Sequence, residues 1–463
     1  MKTASSPLES VKSPGAIKCA VEGPSGPRYG RPSDRFGPPT ALFSPPLARL
    51  RYRIEHLDAI PDRAVALATS DLIELSAGFY EDEIQRGADL RIPLKSLISG
   101  TSKWQTETED GSAKPDGVWL LEGLAYLIVE IKNEPGLGGD PFLQGLITYS
   151  KILAQEKYSV FIGRSNLPIV LLAIAGNRLT VSTAIFTDSI YADELLSIKL
   201  DFGPHASDNV LRVARIFMAI DDCARELRDL YRRLINSNGP VLSAKVLWPE
   251  PTVVSSDPAE EIPKLEFISK VHRSQGTPIN EPTMNEEDKR HAIYLATIKP
   301  NNSKGSDMQV LVKFATRYHE NAHRLLADHK PPLAPKLYSC TPVVGGMLMV
   351  IMEYIPEPEG ASLHNNRLQE SALQVIHQNI SKALELLHGL DLVFGDLREQ
   401  NVLYLPSKNQ VLLVDFDGVG KHGEDRYSAC LNEDTSLGVR RLQIMEKSHD
   451  EENLKRLMVR LKR

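Results

Sequence analysis

Asp396 and Asn401 stand five residues apart in "LVFGDLREQNVLYL", and Asp415 follows nineteen residues after Asp396 in "VLLVDFDGVG". Phosphoryl transfer needs a carboxylate to accept the hydroxyl proton and oxygen ligands to hold Mg²⁺ on the phosphates. Asp396 suits the first task, Asn401 and Asp415 the second. A separate set lies upstream, in "KPDGVWLLEGLAYLIVEIK". Asp116 and Glu130 are equidistant from Gly123, so an antiparallel hairpin turning there sets them opposite each other, with Cβ atoms roughly 5 Å apart. Lys132 shares the face of Glu130, because residues i and i+2 of a strand point the same way. Two converging carboxylates repel unless a cation lies between them, and hard oxygen donors favour Mg²⁺ or Mn²⁺. A lysine beside that ion orients water or stabilises charge developing on a phosphate.

The first set resembles the protein-kinase catalytic loop D-L-x-x-x-N and the metal-binding D-F-G. On that resemblance, Lys313 in "VLVKF" is the strand lysine that contacts phosphates, and Glu320 in "YHENAHRLLADH" is its helix partner. "MLMVIMEYI" is the hinge that receives adenine, and Arg398 keeps the positive charge usual two residues after the catalytic aspartate. The chain departs from the pattern in several places. Phe394 occupies the histidine position of the loop, and the metal motif reads D-F-D, with Asp417 in the last place. Between 264 and 300 no glycine-rich loop is visible, and no A-P-E segment follows the metal motif.

The second set, Pro115-Asp116 followed by Glu130-x-Lys132, resembles the PD-(D/E)XK nuclease superfamily. The resemblance implies a further acidic metal ligand on the upstream helix in "FYEDEIQR", Glu83 before Glu81, and a glutamine after the core strands, Gln144, with Tyr149 on the same helix. An E-x-K triplet by itself is also what a solvated ion pair on a strand looks like, worth about 0–1 kcal/mol.

The elements that would position these residues are legible in the pattern. A helical region over 62–100 precedes strands at 117–122 and 126–132, a helix from Pro141, strands at "YSVFIG" and "IVLLAIAG", and a long amphipathic helix over 207–237. "LEFISKV", "HAIYLATI" and "MQVLVKFA" read as strands, and "DEENLKRLMVRLKR" as a closing amphipathic helix. Residues 1–50, rich in Pro, Gly and Ser, read as a disordered tail. Residues 51–237 form the nuclease-like domain, 238–263 a linker, and 264–463 the kinase-like domain. The fold class is thus α/β plus α+β: a restriction-endonuclease-like αβ core before a bilobal kinase-like domain with a short C-lobe.

Composition sets the outer limits. The 463 residues are 42% hydrophobic and 25% charged, enough for two or three cores. The net charge of −6 gives no global sign of a nucleic-acid binder, which leaves local patches open. Four scattered cysteines without a CxxC pair argue against a disulfide scaffold or zinc site. The N-terminus lacks the apolar core of a secretory signal. The longest apolar run, "LPIVLLAIA", is about half of the roughly 20 residues a membrane span needs. The expectation is a soluble intracellular protein.

Together the two sets look like a group of fungal proteins in which a restriction-endonuclease-like domain precedes a divergent kinase, an architecture found among Crinkler-type effectors. In that group D-F-D and a short C-lobe are usual; the Crinkler N-terminal header is not recognisable here. The resemblance implies Mg²⁺ (or Mn²⁺) and ATP as cofactors, DNA as partner of the first domain, and a protein substrate for the second. Two alternatives stay open: a kinase with a catalytically dead N-terminal fold, and a pseudokinase interaction protein with both sites decayed.

Overall fold

A computed structural model of the chain describes residues 7–10, 13–23, 26–108, 111–237, 248–254, 263–272, 278, 286–299, 307–356, 359–363, 369–431 and 438–462. They fall into two compact units, Met1–Thr252 and Val253–Arg463. Most of the expected linker, 238–247 and 255–262, lies outside the described residues.

The first unit runs α1 (Pro7–Ser10), α2 (Pro14–Glu22), α3 (Pro45–Glu55), α4 (Arg63–Ala77), α5 (Glu83–Leu97), β1 (Ser102–Trp104), β2 (Gly117–Leu121), β3 (Leu124–Lys132), α6 (Pro141–Leu153), β4 (Ile169–Ala175), β5 (Arg178–Phe186), β6 (Ile190–Lys199) and α7 (Ala206–Asn236). Its six strands form one sheet in sequence order. All neighbours are antiparallel except β3 and β4, which are parallel and joined through α6, as a parallel pair requires a crossover. All nine residues of β3 are buried, so both its faces are covered. That explains the continuous apolar run and makes Glu130 and Lys132 stand out. The caps follow local chemistry: Asp82 Oδ1 accepts from Gln85 N at 2.8 Å, and Asp140 Oδ1 accepts from Phe142 N at 2.9 Å with Pro141 in the first turn.

Two expectations give way here. The tail over 1–50 carries helices, and Ala41, Leu42, Phe43, Leu47 and Leu50 are buried. Thr40 fastens this stretch to β6, its backbone N–H donating to Asp193 Oδ2 at 2.6 Å. Averaging composition over fifty residues dilutes the apolar cluster at 41–50, which is what packs. "YSVFIG" is not a strand: Phe161 N and Ile162 N both bond back to Tyr158 O, a tight turn that turns Tyr158 inward and leaves Val160 exposed.

The second unit contains β7 (Leu265–Lys270), α8 (Glu286–Arg290), β8 (Ala292–Ile298), β9 (Met308–Ala315), α9 (Glu320–Ala327), β10 (Leu337–Val343), β11 (Met347–Glu353), β12 (Ala361–Ser362), α10 (Glu370–Gly389), β13 (Leu392–Val393), β14 (Val402–Leu405), β15 (Gln410–Leu413), β16 (Gly420–Lys421) and α11 (Lys447–Leu461). β7 to β11 form an antiparallel sheet in the order β10-β11-β9-β8-β7. One core joins sheet and helices: Leu326 of α9, Val350 of β11, Ile376 of α10, Phe394 and Phe416 of the loops, and Leu457 of α11 are all buried in it. Most of 273–285, within the stretch where the kinase pattern has its glycine-rich loop, lies outside the described residues. Among the described residues no helix is long and apolar enough to cross a membrane.

Candidate active site in each unit

The hairpin of β2 and β3 reaches the register the sequence predicts by a different route. Its turn is the two-residue Glu122–Gly123, both at positive φ (49° and 89°), the geometry of a type I′ turn. Near the turn Leu121 faces Leu124 and Leu120 faces Ala125, but Trp119 faces Leu127. Tyr126 is therefore an extra, bulged residue. Beyond the bulge Gly117 faces Val129, which brings Asp116 to the level of Glu130.

Here Asp116 Oδ2 accepts from Ile131 N at 2.7 Å, and Gln105 Nε2 donates to Oδ1. Glu130 has both oxygens bonded by the crossover helix: Gln144 Nε2 donates to Oε2 at 2.7 Å and Thr148 Oγ1 to Oε1 at 2.9 Å. Burial raises the Asp116 carboxyl above its ordinary value. Glu130 is pushed well above the carboxylate range by burial and then by the neighbouring Asp116 charge. Lys132 Nζ pairs with Glu83 Oε2 at 2.9 Å, so the helix acid the sequence favoured does reach the site, while Glu81 is exposed. Tyr149 is used structurally, its hydroxyl donating to Leu167 O at 2.8 Å.

Glu83 is thereby the lysine's partner, and among the described residues no group of three or more His, Cys, Asp or Glu is placed to hold a metal ion. The expected set of Asp116, Glu130 and Glu83 reduces to the first two. The donor chemistry of that pair still suits a hard cation. Gln144 adds a buried Oε1 with no hydrogen-bond partner among the described residues. A cavity of ≈ 530 Å³ opens beside the loop after β3, lined among others by Gly136, Gly138, Phe142 and Arg178. Thr148 is the residue the sequence reading missed; it lies one turn after Gln144, a spacing that could have shown it.

In the second unit, Asp396 Oδ2 is held by Arg398 at 2.9 Å and by Asn401 Nδ2 at 2.8 Å; the same Nδ2 donates to Asp396 O at 2.9 Å. Lys313 Nζ lies 2.5 Å from Asp415 Oδ1 and 2.6 Å from Asp417 Oδ2. Burial works against the lysine's charge, but these two carboxylates more than offset it and its pKa is raised. Asp415 sits at φ 68°, a left-handed conformation at the end of the strand-to-loop turn. Asn401 and Asp415 offer an amide and a carboxylate, hard oxygen donors that suit Mg²⁺.

Glu320 does not meet Lys313. It pairs with Arg324, one helical turn on, at 2.8 Å.

Two features behind this site were not read from the sequence. Asp450, fully buried on α11, accepts from Phe394 N at 2.8 Å, Gly395 N at 3.0 Å and His388 Nε2 at 3.0 Å, fixing the loop that carries Asp396. Its signal was available, since Asp450 shares the apolar face of Leu454 and Leu457. His323 of α9 stacks on Phe416, rings 4.5 Å apart and 6° from parallel, and Phe394 meets Phe416 edge-on. The phenylalanine at the histidine position of the loop thus fills core space. Gly395 is demanded by geometry: at φ 79°, a Cβ would lie 2.6 Å from Gly418 O and 2.5 Å from Met445 Cε.

Residues 260–446 match the profile of the RIO domain, an atypical protein-kinase domain; the match leaves the first unit outside it. No curated protein matches the chain. Among solved structures, the kinase of Cydia pomonella granulovirus is similar at 18% identity over 43% of this chain and 68% of its own, with a TM-score of 0.31. Over residues 260–446 the second unit is thus similar to the RIO domain, a divergent, atypical protein-kinase-like domain.

Proposed function

We propose that the second unit is a Mg–ATP-dependent phosphotransferase acting on a protein hydroxyl, serine or threonine, and that the first is a metal-dependent endonuclease-like module acting on DNA. The observation that carries the first part is the arrangement of Asp396. Its Oδ2 is gripped by Arg398 and Asn401, and Lys313 and Asp415 pair at 2.5 Å on the strand and loop beside it. Asp396 accepts the proton of the attacking hydroxyl, Arg398 and Asn401 fix its carboxylate, and Asp450 holds the loop amides so that the base cannot swing away. Lys313 binds phosphate oxygens. Mg²⁺ held by Asn401 and Asp415 would supply neutralisation of charge on the transferred phosphoryl group.

Transfer from labelled ATP tests this directly: activity that persists unchanged in Asp396→Asn removes Asp396 as the base. A thermal shift with Mg–ATP tests binding apart from transfer; its absence favours the pseudokinase.

The nuclease reading is supported by the order of helix α5, the meander β1 to β3, the crossover helix α6 and parallel β4, with Asp116, Glu130 and Lys132 at one end of the hairpin. Asp116 and Glu130 would hold Mg²⁺ or Mn²⁺, which supplies Lewis acidity at a phosphodiester. Lys132 would position the attacking water once released from Glu83. Incubation of supercoiled plasmid with Mg²⁺ checks this, and nicking no greater than that of Lys132→Ala rejects it. The joint architecture, a nuclease-like unit before a divergent kinase, supports placing the chain with the Crinkler-type proteins it resembles.

A further inference from the structure

Three carboxylates come into question for fixing Lys313: Asp415, nearest at 2.5 Å from its Nζ, and Glu320 and Asp417, which lie on different elements. Glu320, in the first turn of α9, is the one the kinase pattern nominates. Its Oε1 takes both Arg324 Nε and a terminal nitrogen of Arg324, each at 2.8 Å. Asp417, two residues after Asp415 on the same loop, lies 2.6 Å from Lys313 Nζ through Oδ2. Lys313 is itself buried on β9, a central strand paired on both sides, and its ammonium stands 6.0 Å from the centroid of the Tyr318 ring. A buried ammonium needs a permanent counter-charge. Asp415 cannot be that charge during turnover if it also serves the metal. Asp417 can, because its Oδ2 sits on the lysine at 2.6 Å and it holds the position where the D-F-G pattern has a glycine, which is no metal ligand.

We propose that Asp417, and not Glu320, is the positioning carboxylate of Lys313, so that the phosphate-binding lysine is set by the metal loop alone. The inference rests on the phosphotransferase reading for its meaning and goes beyond it in assigning the third residue of the D-F-D motif. Helix α9 is then free of the duty of completing the site by moving. It is fastened instead by His323, which stacks on Phe416 and bonds the Pro335 carbonyl at 2.7 Å.

The test uses the full chain and reads Lys313 itself. A short pulse of acetic anhydride acylates amines that are not locked in an ion pair, and mass spectrometry reports the modified lysine against surface lysines of the same sample. Asp417→Asn, which removes the ion pair at 2.6 Å, should speed Lys313 acylation several-fold. Glu320→Gln, which removes no partner of the lysine, should leave it unchanged within the spread of the surface lysines. Asp417→Glu, which keeps the charge, should restore most of the protection. Equal acceleration in Glu320→Gln, or none in Asp417→Asn, overturns the assignment. Mg–ATP is then added before the pulse. Failure of the nucleotide to shield Lys313 in the wild type defeats the phosphotransferase reading, while the pairing of the lysine is still decided by the first comparison.

Discussion

Lowering the pH from about 7 to 5 should weaken the second unit through one residue, His323. Its side chain is fully buried, with Nε2 bonded to Pro335 O at 2.7 Å and Nδ1 to the Tyr318 hydroxyl at 2.6 Å. Pro335 O can only accept, so Nε2 carries the proton and Nδ1 accepts from Tyr318 in the neutral ring. Burial lowers the pKa from 6.5 to about 4, with Arg324 adding to the same direction. The unfolded chain therefore binds a proton that the folded one refuses. Stability is intact above pH about 6.5 and is lost as pH falls toward 4. Linkage puts the loss near 2 kcal/mol at pH about 5 and near 3 kcal/mol once both states are protonated. Urea titrations at the two pH values measure it, on wild type and on His323→Gln, which cannot titrate. Far-UV circular dichroism follows the whole chain. Tryptophan fluorescence isolates the first unit, because Trp104, Trp119 and Trp248 all belong to it. The wild type should lose about 2 kcal/mol more than the variant over this interval, and in the transition that fluorescence does not see. Equal pH dependence of the two proteins refutes the reasoning.

Glu130→Gln should raise the melting temperature at pH about 8 and change it little near pH 4, because a carboxyl whose folded pKa is raised costs stability only where the unfolded chain ionises it. The same variant should lose any stabilisation by Mn²⁺ seen in the wild type by differential scanning calorimetry. Asp450→Ala strips three donors of their buried acceptor and should cost about 3 kcal/mol or more in chemical denaturation. Phosphotransfer should fall with it. Gly395→Ala forces a Cβ against Gly418 O and should cost at least about 2 kcal/mol, abolishing ATP turnover even where the protein remains folded by circular dichroism.

The parts of the site that the sequence displayed are those governed by short-range periodicity. The i, i+2 rule placed Glu130 and Lys132 on one face, and spacing around the turn placed Asp116 beside them. Lys313 and Asp415 came together because flanking strands fixed their ends. Choices among equally charged partners were not legible. Glu320 could reach Lys313 or Arg324, and helical geometry puts Arg324 one turn away while Lys313 lies on another element. Glu83 could be a metal ligand or a lysine's counter-ion, and Lys132 took it. The order within residues 26–55 was hidden because its turns are secured from far along the chain, at Asp193 and Ile190.

The bulge at Tyr126 separates two jobs that a plain hairpin would tie together. In a regular two-residue hairpin, any insertion or deletion between the strands would shift the acids past each other and turn one of them to the wrong face. Here the unpaired residue acts as slack in the count: the loop takes the turn it can form, and the site takes the pairing it needs. Deleting Tyr126 alone would remove the bulge and leave a regular ladder in which Asp116 still faces Glu130. Loop changes elsewhere in the hairpin that keep a bulge would be tolerated, so descendants of this sequence can vary at the turn while keeping Asp116 and Glu130 together.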